Sequence, residues 1–144
     1  LADKNVIDIL ESVKRCKNIH TSFLDQGILY EYLRSGSFER QIKKVRKVYK
    51  EKYELAVECI NKYINPTFIW GEGGLHIYIG IEGVDSRKLL DECYKKGVIF
   101  TPGDIFSVDY SCKNTLRLGL SRLSLNEIKE GIKIIGEVSK ELRK

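Results

Sequence analysis

The sequence predicts an α+β fold, with a small, mostly antiparallel sheet packed against helices on one side and its other face open. Three observations lead there. Helix-period apolar stripes run through both ends of the chain, short segments of strict alternation lie between them, and Gly71-Glu-Gly-Gly74 joins two of those segments as a hairpin. The alternation is clearest in Asn114-Thr-Leu-Arg-Leu-Gly-Leu-Ser121. There Leu116, Leu118 and Leu120 face one way and Thr115, Arg117, Gly119 and Ser121 the other.

The first helical stretch covers about Val6 to Arg15, and a second about Thr21 to Leu33, where Arg34-Ser-Gly-Ser37 interrupts it. A long helix follows, since Phe38, Ile42, Val45, Tyr49, Tyr53, Ala56, Ile60 and Tyr63 recur at spacings of three and four. It ends near Asn65-Pro66, because proline lacks the amide that would continue it. Thr67–Trp70 and Leu75–Ile81 alternate like strands. Asp85 or Ser86 caps a helix carrying Leu89, Leu90, Cys93 and Tyr94, and Gly97 closes it. Val98-Ile-Phe100 reads as a short apolar strand entering Thr101-Pro-Gly103. In the last helix Ser124 and Glu127 form a capping box, Leu123 and Ile128 a hydrophobic staple, and Ile128, Ile132, Ile135 and Leu142 the buried stripe. The open sheet face then carries Arg117, Ser121, His76 and Tyr78.

Composition excludes several classes. The 144 residues are 42% hydrophobic and 31% charged, which suits one soluble globular domain. No apolar run reaches membrane-spanning length and the opening residues lack the apolar core of a signal peptide, so a cytoplasmic protein is expected. Cys16, Cys59, Cys93 and Cys112 are scattered without a C-x-x-C pair, which predicts reduced packing residues and no metal site. The net charge is +5, and seven basic residues against three acidic ones between Glu39 and Glu54 concentrate +4 of it on the long helix. A solvated helix face accounts for that charge without nucleic acid, and no helix-turn-helix, zinc or aromatic-basic pattern marks specific recognition.

Arg117 is open to two readings. It is a solvated residue on the wet side of the sheet, or an anion clamp whose guanidinium fork takes a carboxylate bidentately beside small neighbours.

The stretch "IWGEGGLHIYIGI", a helix ending in "KKGVIFTPGDIF" and then "NTLRLGLSRLSLNEIKEGI" resemble the carboxyl-terminal part of fold-type-I, pyridoxal phosphate (PLP)-dependent aminotransferases. That family has here a Gly-Gly hairpin, a Gly-Val strand, Pro-Gly-x-x-Phe, an arginine in an apolar strand and a final helix opened by Ser-x-x-Glu. Upstream, "TSFLDQGILYEYLRSGSFERQIKKVRKVYKEK" resembles the MocR-type, GntR-family transcription regulators, which join a winged helix to an aminotransferase-like domain. Gly74-Leu-His76 favours that subgroup. Gln41-Ile-Lys-Lys-Val-Arg46 keeps the charge of the subgroup's His-x-Arg-Arg-x-Arg run without its histidine.

The resemblance implies that residues 1–36 are a helical remnant of the large PLP domain with its connector, and that 37–144 form the small domain. It makes Arg117 the residue that grips the α-carboxylate of an amino-acid substrate or effector, with Gly73, Gly74, His76, Pro102 and Gly103 shaping the site, and it gives the parent a small amino-acid or amine ligand. His76 reads as a packing or rim residue rather than a catalytic one, and His20 as part of a connector. The Schiff-base lysine, the phosphate site and any winged helix fall upstream of residue 1. A carboxyl-terminal fragment is therefore expected, with no catalytic residue and no PLP of its own and inactive as a transferase by itself. Its parent would be a homodimeric PLP protein, contacting DNA only through the winged helix, or a true aminotransferase. A free-standing basic α+β module that binds nucleic acid or protein is the third possibility.

Overall fold

The computed structural model describes residues 2–18 and 22–143, and His20 lies outside them. Among the described residues are five α-helices and a four-stranded antiparallel sheet of order β1-β2-β4-β3. The chain divides into two compact units, Leu1–Lys43 and Lys44–Lys144, with the division inside the long helix.

The first unit holds α1 (Lys4–Lys17) and α2 (Phe23–Arg34), capped by the side chains of Asp3 and Ser22. Neither helix has a buried residue, and apolar side chains such as Ile9, Phe23 and Leu24 are exposed. α3 starts at Ser37 and runs to Tyr63, where Asn65 takes a positive φ of 55° ahead of Pro66. Its apolar stripe becomes buried only toward the carboxyl end, at Ala56, Cys59 and Ile60. Arg40, Lys43, Lys44, Arg46, Lys47 and Lys50 are exposed. Lys52 is half-buried and donates to the carbonyls of Leu120 and Ser121, at 3.5 and 3.0 Å.

The second unit has the predicted one-sided sheet. β1 (Phe68–Trp70), β2 (His76–Gly80), β3 (Thr101–Pro102) and β4 (Thr115–Gly119) pair antiparallel throughout. Ile77 and Ile79 on β2 and Leu116 and Leu118 on β4 are buried. They form one cluster with Ala56 and Ile60 of α3, Leu89 and Cys93 of α4 (Ser86–Lys95), and Ile128, Ile132, Ile135 and Val138 of α5 (Leu125–Leu142). Each such aliphatic side chain contributes about 1.5–3 kcal/mol on leaving water. Burial also pushes the Cys93 thiol up to about 11, as suits a packing residue.

Caps fix the helix starts. Asp85 accepts from the amides of Arg87 and Lys88 at 2.9 and 3.1 Å, so Asp85, not Ser86, is the cap of α4. Ser124 and Glu127 form the reciprocal capping box of α5.

Two expected features differ. Residues 98–100 are not a strand: β3 begins at Thr101, Ile99 is 76% exposed and Phe100 is buried. Leu142 is 37% exposed at the last residue of α5, and the buried stripe continues instead through Val138 and Ser139.

Candidate functional site

The open face of the sheet is assembled by register. Arg117, at the centre of β4, lies opposite Tyr78 on β2 and Thr101 on β3, and His76 lies opposite Gly119. Period-two alternation places these side chains on the face away from Leu116 and Leu118. A cleft of about 380 Å³ opens there, lined by His76, Thr101, Arg117, Ser121 and Arg122 with Ile99, Phe100, Gly119 and Leu123. No acidic residue lines it. Arg117 and Arg122 form no ion pair among the described residues, whereas Arg15, Arg34 and Arg87 each have one.

Arg117 is held on its other side. Its Cζ lies 4.8 Å from the centroid of the Phe106 ring, and its Nε is buried without a hydrogen-bond partner. Phe106 ends a single 3-10 turn, Gly103–Phe106, that leaves β3 directly after Pro102. That turn sits close to the sheet because Gly103 has no side chain to meet Thr115 and Tyr78. It also carries Asp104, buried to 4% exposure, whose Oδ2 accepts from Arg87 Nε at 2.5 Å. The pair is a charge-assisted bond that ties the turn to the start of α4.

Of the residues singled out in the sequence, Arg117 and His76 share the cleft, and Pro102 and Gly103 fix the turn behind it. Gly73 and Gly74 lie elsewhere. They take φ values of 143° and 91° in the β1–β2 connection, and line a separate groove with Val45, Arg46, Tyr49 and Tyr53 of α3. Tyr53 donates to the Gly71 carbonyl there at 2.5 Å. Phe106 and Arg122 were not predicted as site residues. Phe106 had a signal, since it is the last residue of the Pro-Gly-x-x-Phe run.

The lining is compatible in charge with an anion such as a carboxylate: two arginines, two hydroxyl-bearing residues and a histidine share it with no competing carboxylate. It does not suit PLP itself, because no lysine lines it to carry the cofactor as an imine. Among the described residues no cluster of His, Cys, Asp or Glu could hold a metal ion, and no helix is long and apolar enough to cross a membrane.

This is an aminotransferase-like α+β fold with an arginine-lined cleft on the open face of its sheet. The chain is homologous over nearly all its length to fold-type-I aminotransferases and to MocR-type transcriptional regulators. It is 34% identical over 143 residues to an uncharacterized aminotransferase of Saccharolobus solfataricus, covering 97% of this chain and 36% of that protein. It is 29% identical to an uncharacterized HTH-type transcriptional regulator of Bacillus subtilis, covering 95% and 29%. The crystal structure of Pyrococcus horikoshii kynurenine aminotransferase, in complex with PMP, superposes with a TM-score of 0.87 at 32% identity, over 99% of this chain and 36% of that one. No family model matches the chain. The chain thus spans about a third of the length of the curated relatives it matches.

Proposed function

We propose that this sequence is the small-domain part of an aminotransferase-like PLP protein and that Arg117 clamps the carboxylate of an amino-acid ligand. The observation that carries this reading is the cleft: Arg117 faces it at the centre of the open sheet face, and no acidic residue is in its lining. The exposed apolar side chains of α1 and α2 support the assignment of residues 1–36 to a large PLP domain, against which they would pack. When bound on that domain, PLP supplies the electron sink for chemistry at the amino group. This chain's residues bind and orient the ligand: Arg117 fixes the carboxylate, and His76, Thr101, Ser121 and Arg122 surround what lies beside it.

Two parents fit. An effector-sensing regulator of the MocR type is supported by Gly74-Leu-His76 and by the 29% identity to an HTH-type regulator; there, ligand capture would alter how attached winged helices hold DNA. A true aminotransferase is supported by the higher identities, 34% to one such protein and 32% to the kynurenine aminotransferase. The clamp is common to both.

Calorimetry on the polypeptide that joins this sequence to its large PLP domain tests the reading. Arg117→Ala should leave cofactor attachment intact and weaken a carboxylate ligand by about 2–4 kcal/mol, as when one charged partner leaves a desolvated pair. Arg117→Lys should recover only part, because a point charge cannot reproduce the fork. Unchanged affinity in Arg117→Ala rules the clamp out.

A further inference from the structure

We infer that Phe106 is a positioning residue for Arg117: its ring is a shelf that sets the plane of the guanidinium and so the geometry in which a carboxylate is taken. This rests on the reading of Arg117 as a carboxylate clamp and adds to it the part that aims the clamp.

A long side chain on an open sheet face samples many rotamers, and holding it in one geometry costs entropy unless something fixes it beforehand. Here the guanidinium carbon lies over the ring of Phe106, 4.8 Å from its centroid, within the range of a cation–π contact. The Arg117 Nε is buried and has no partner, so a ligand in the cleft meets the two terminal Nη groups. Phe106 is not among the residues lining the cleft, so its influence on a ligand passes through Arg117.

The shelf is itself braced. Phe106 meets the Tyr78 ring edge-on, with centroids 6.2 Å apart and planes at 75°. The Thr115 hydroxyl donates to the Cys112 carbonyl at 2.8 Å. Its one proton is thereby used, so in the 2.6 Å contact between Tyr78 and Thr115 the tyrosine is the donor. Tyr78 is fixed at its ring by Phe106 and Phe68 and at its hydroxyl by Thr115. Tyr78 and Arg117 are also cross-strand partners, so the shelf and the guanidinium share one frame.

Nuclear magnetic resonance on the ¹⁵N-labelled 144-residue chain, with sodium acetate as the probe, tests this. In the native chain the Arg117 side-chain Nε–H resonance, identified by its loss in Arg117→Lys, should be shifted upfield by the ring and should move on addition of acetate. Phe106→Leu should abolish the upfield shift and weaken acetate binding at Arg117 by about 5- to 20-fold, a loss commensurate with one cation–π contact. Phe106→Tyr, which keeps the ring, should retain both. Phe106 is half exposed, and backbone amide spectra check that each variant stays folded. If acetate binds Phe106→Leu as tightly as the native chain, or if Phe106→Tyr loses as much as Phe106→Leu, the shelf has no positioning role. Loss of acetate binding in Arg117→Ala leaves the clamp standing in that event. If Arg117→Ala binds acetate unchanged, the clamp reading fails and the shelf with it.

Discussion

A β-carbon added to Gly103 would lie 1.8 Å from Thr115 Oγ1 and 2.7 Å from the Tyr78 hydroxyl, on two groups that already hold each other at 2.6 Å. The methyl group has nowhere to go unless the 3-10 turn lifts from the sheet, taking Asp104 away from Arg87 and Phe106 away from Arg117. Gly103→Ala should therefore destabilise the chain by about 1–3 kcal/mol, the usual cost of overpacking a tight contact, read as a lower midpoint in urea denaturation. A midpoint equal to that of the native chain would mean that the turn is not pressed against Thr115. Pro102 and Gly103 were legible as a pair because their composition marks a turn. Their partners were not, since Thr115 and Tyr78 are separated from them in sequence and reach them only through strand pairing.

At the scale of the element, α5 allows one substitution to be tried twice with opposite outcomes. A β-carbon on Gly136 would come within 2.5 Å of the Tyr63 carbonyl at the end of α3, whereas one on Gly131 meets nothing within 4 Å. Gly136→Ala should destabilise by about 1–3 kcal/mol, because a backbone carbonyl cannot move aside as a side chain can. Gly131→Ala should stabilise by up to about 1 kcal/mol, the helix-propensity difference between the two residues. Thermal melts of the two single variants decide it, and a stable Gly136→Ala would show that α3 and α5 are not in contact there. Element boundaries were legible where a side chain does the work: Ser124 with Glu127, Asp85, and Pro66 beyond α3. The alternation of β2 and β4 was equally legible, because one face must be apolar. Residues 98–100 misled because three apolar residues carry no register; the strand forms at Thr101 and Pro102, where Arg117 and Leu116 stand opposite. Leu142 fits the helical period but falls where the helix ends.

For the whole molecule, charge is the property with the widest reach. The chain carries +5 overall, and seven of the basic side chains of α3 are exposed. A face of that kind attracts polyanions without reading them, so DNA binding by the 144-residue chain should be weak, indifferent to sequence and lost steeply as salt rises. Fluorescence anisotropy on operator-like and random duplexes checks this, and tight, selective binding would favour a free-standing nucleic-acid module instead. Similarity along nearly the whole chain was legible in the order of short motifs, each weak by itself. The cleft was legible at Arg117, His76 and Ser121, since strand alternation shows which side chains share a face, while the lack of carboxylates around them is visible only in three dimensions. The division of β4 into two faces has a consequence for inheritance. Along residues 116–121 the even positions, Leu116, Leu118 and Leu120, are buried, and the odd positions, Arg117, Gly119 and Ser121, line the cleft. Changes at one set are tested by whether the chain folds, whereas changes at Gly119 and Ser121 beside Arg117 alter the lining of the cleft and leave the core alone, so the two faces can vary under separate selection.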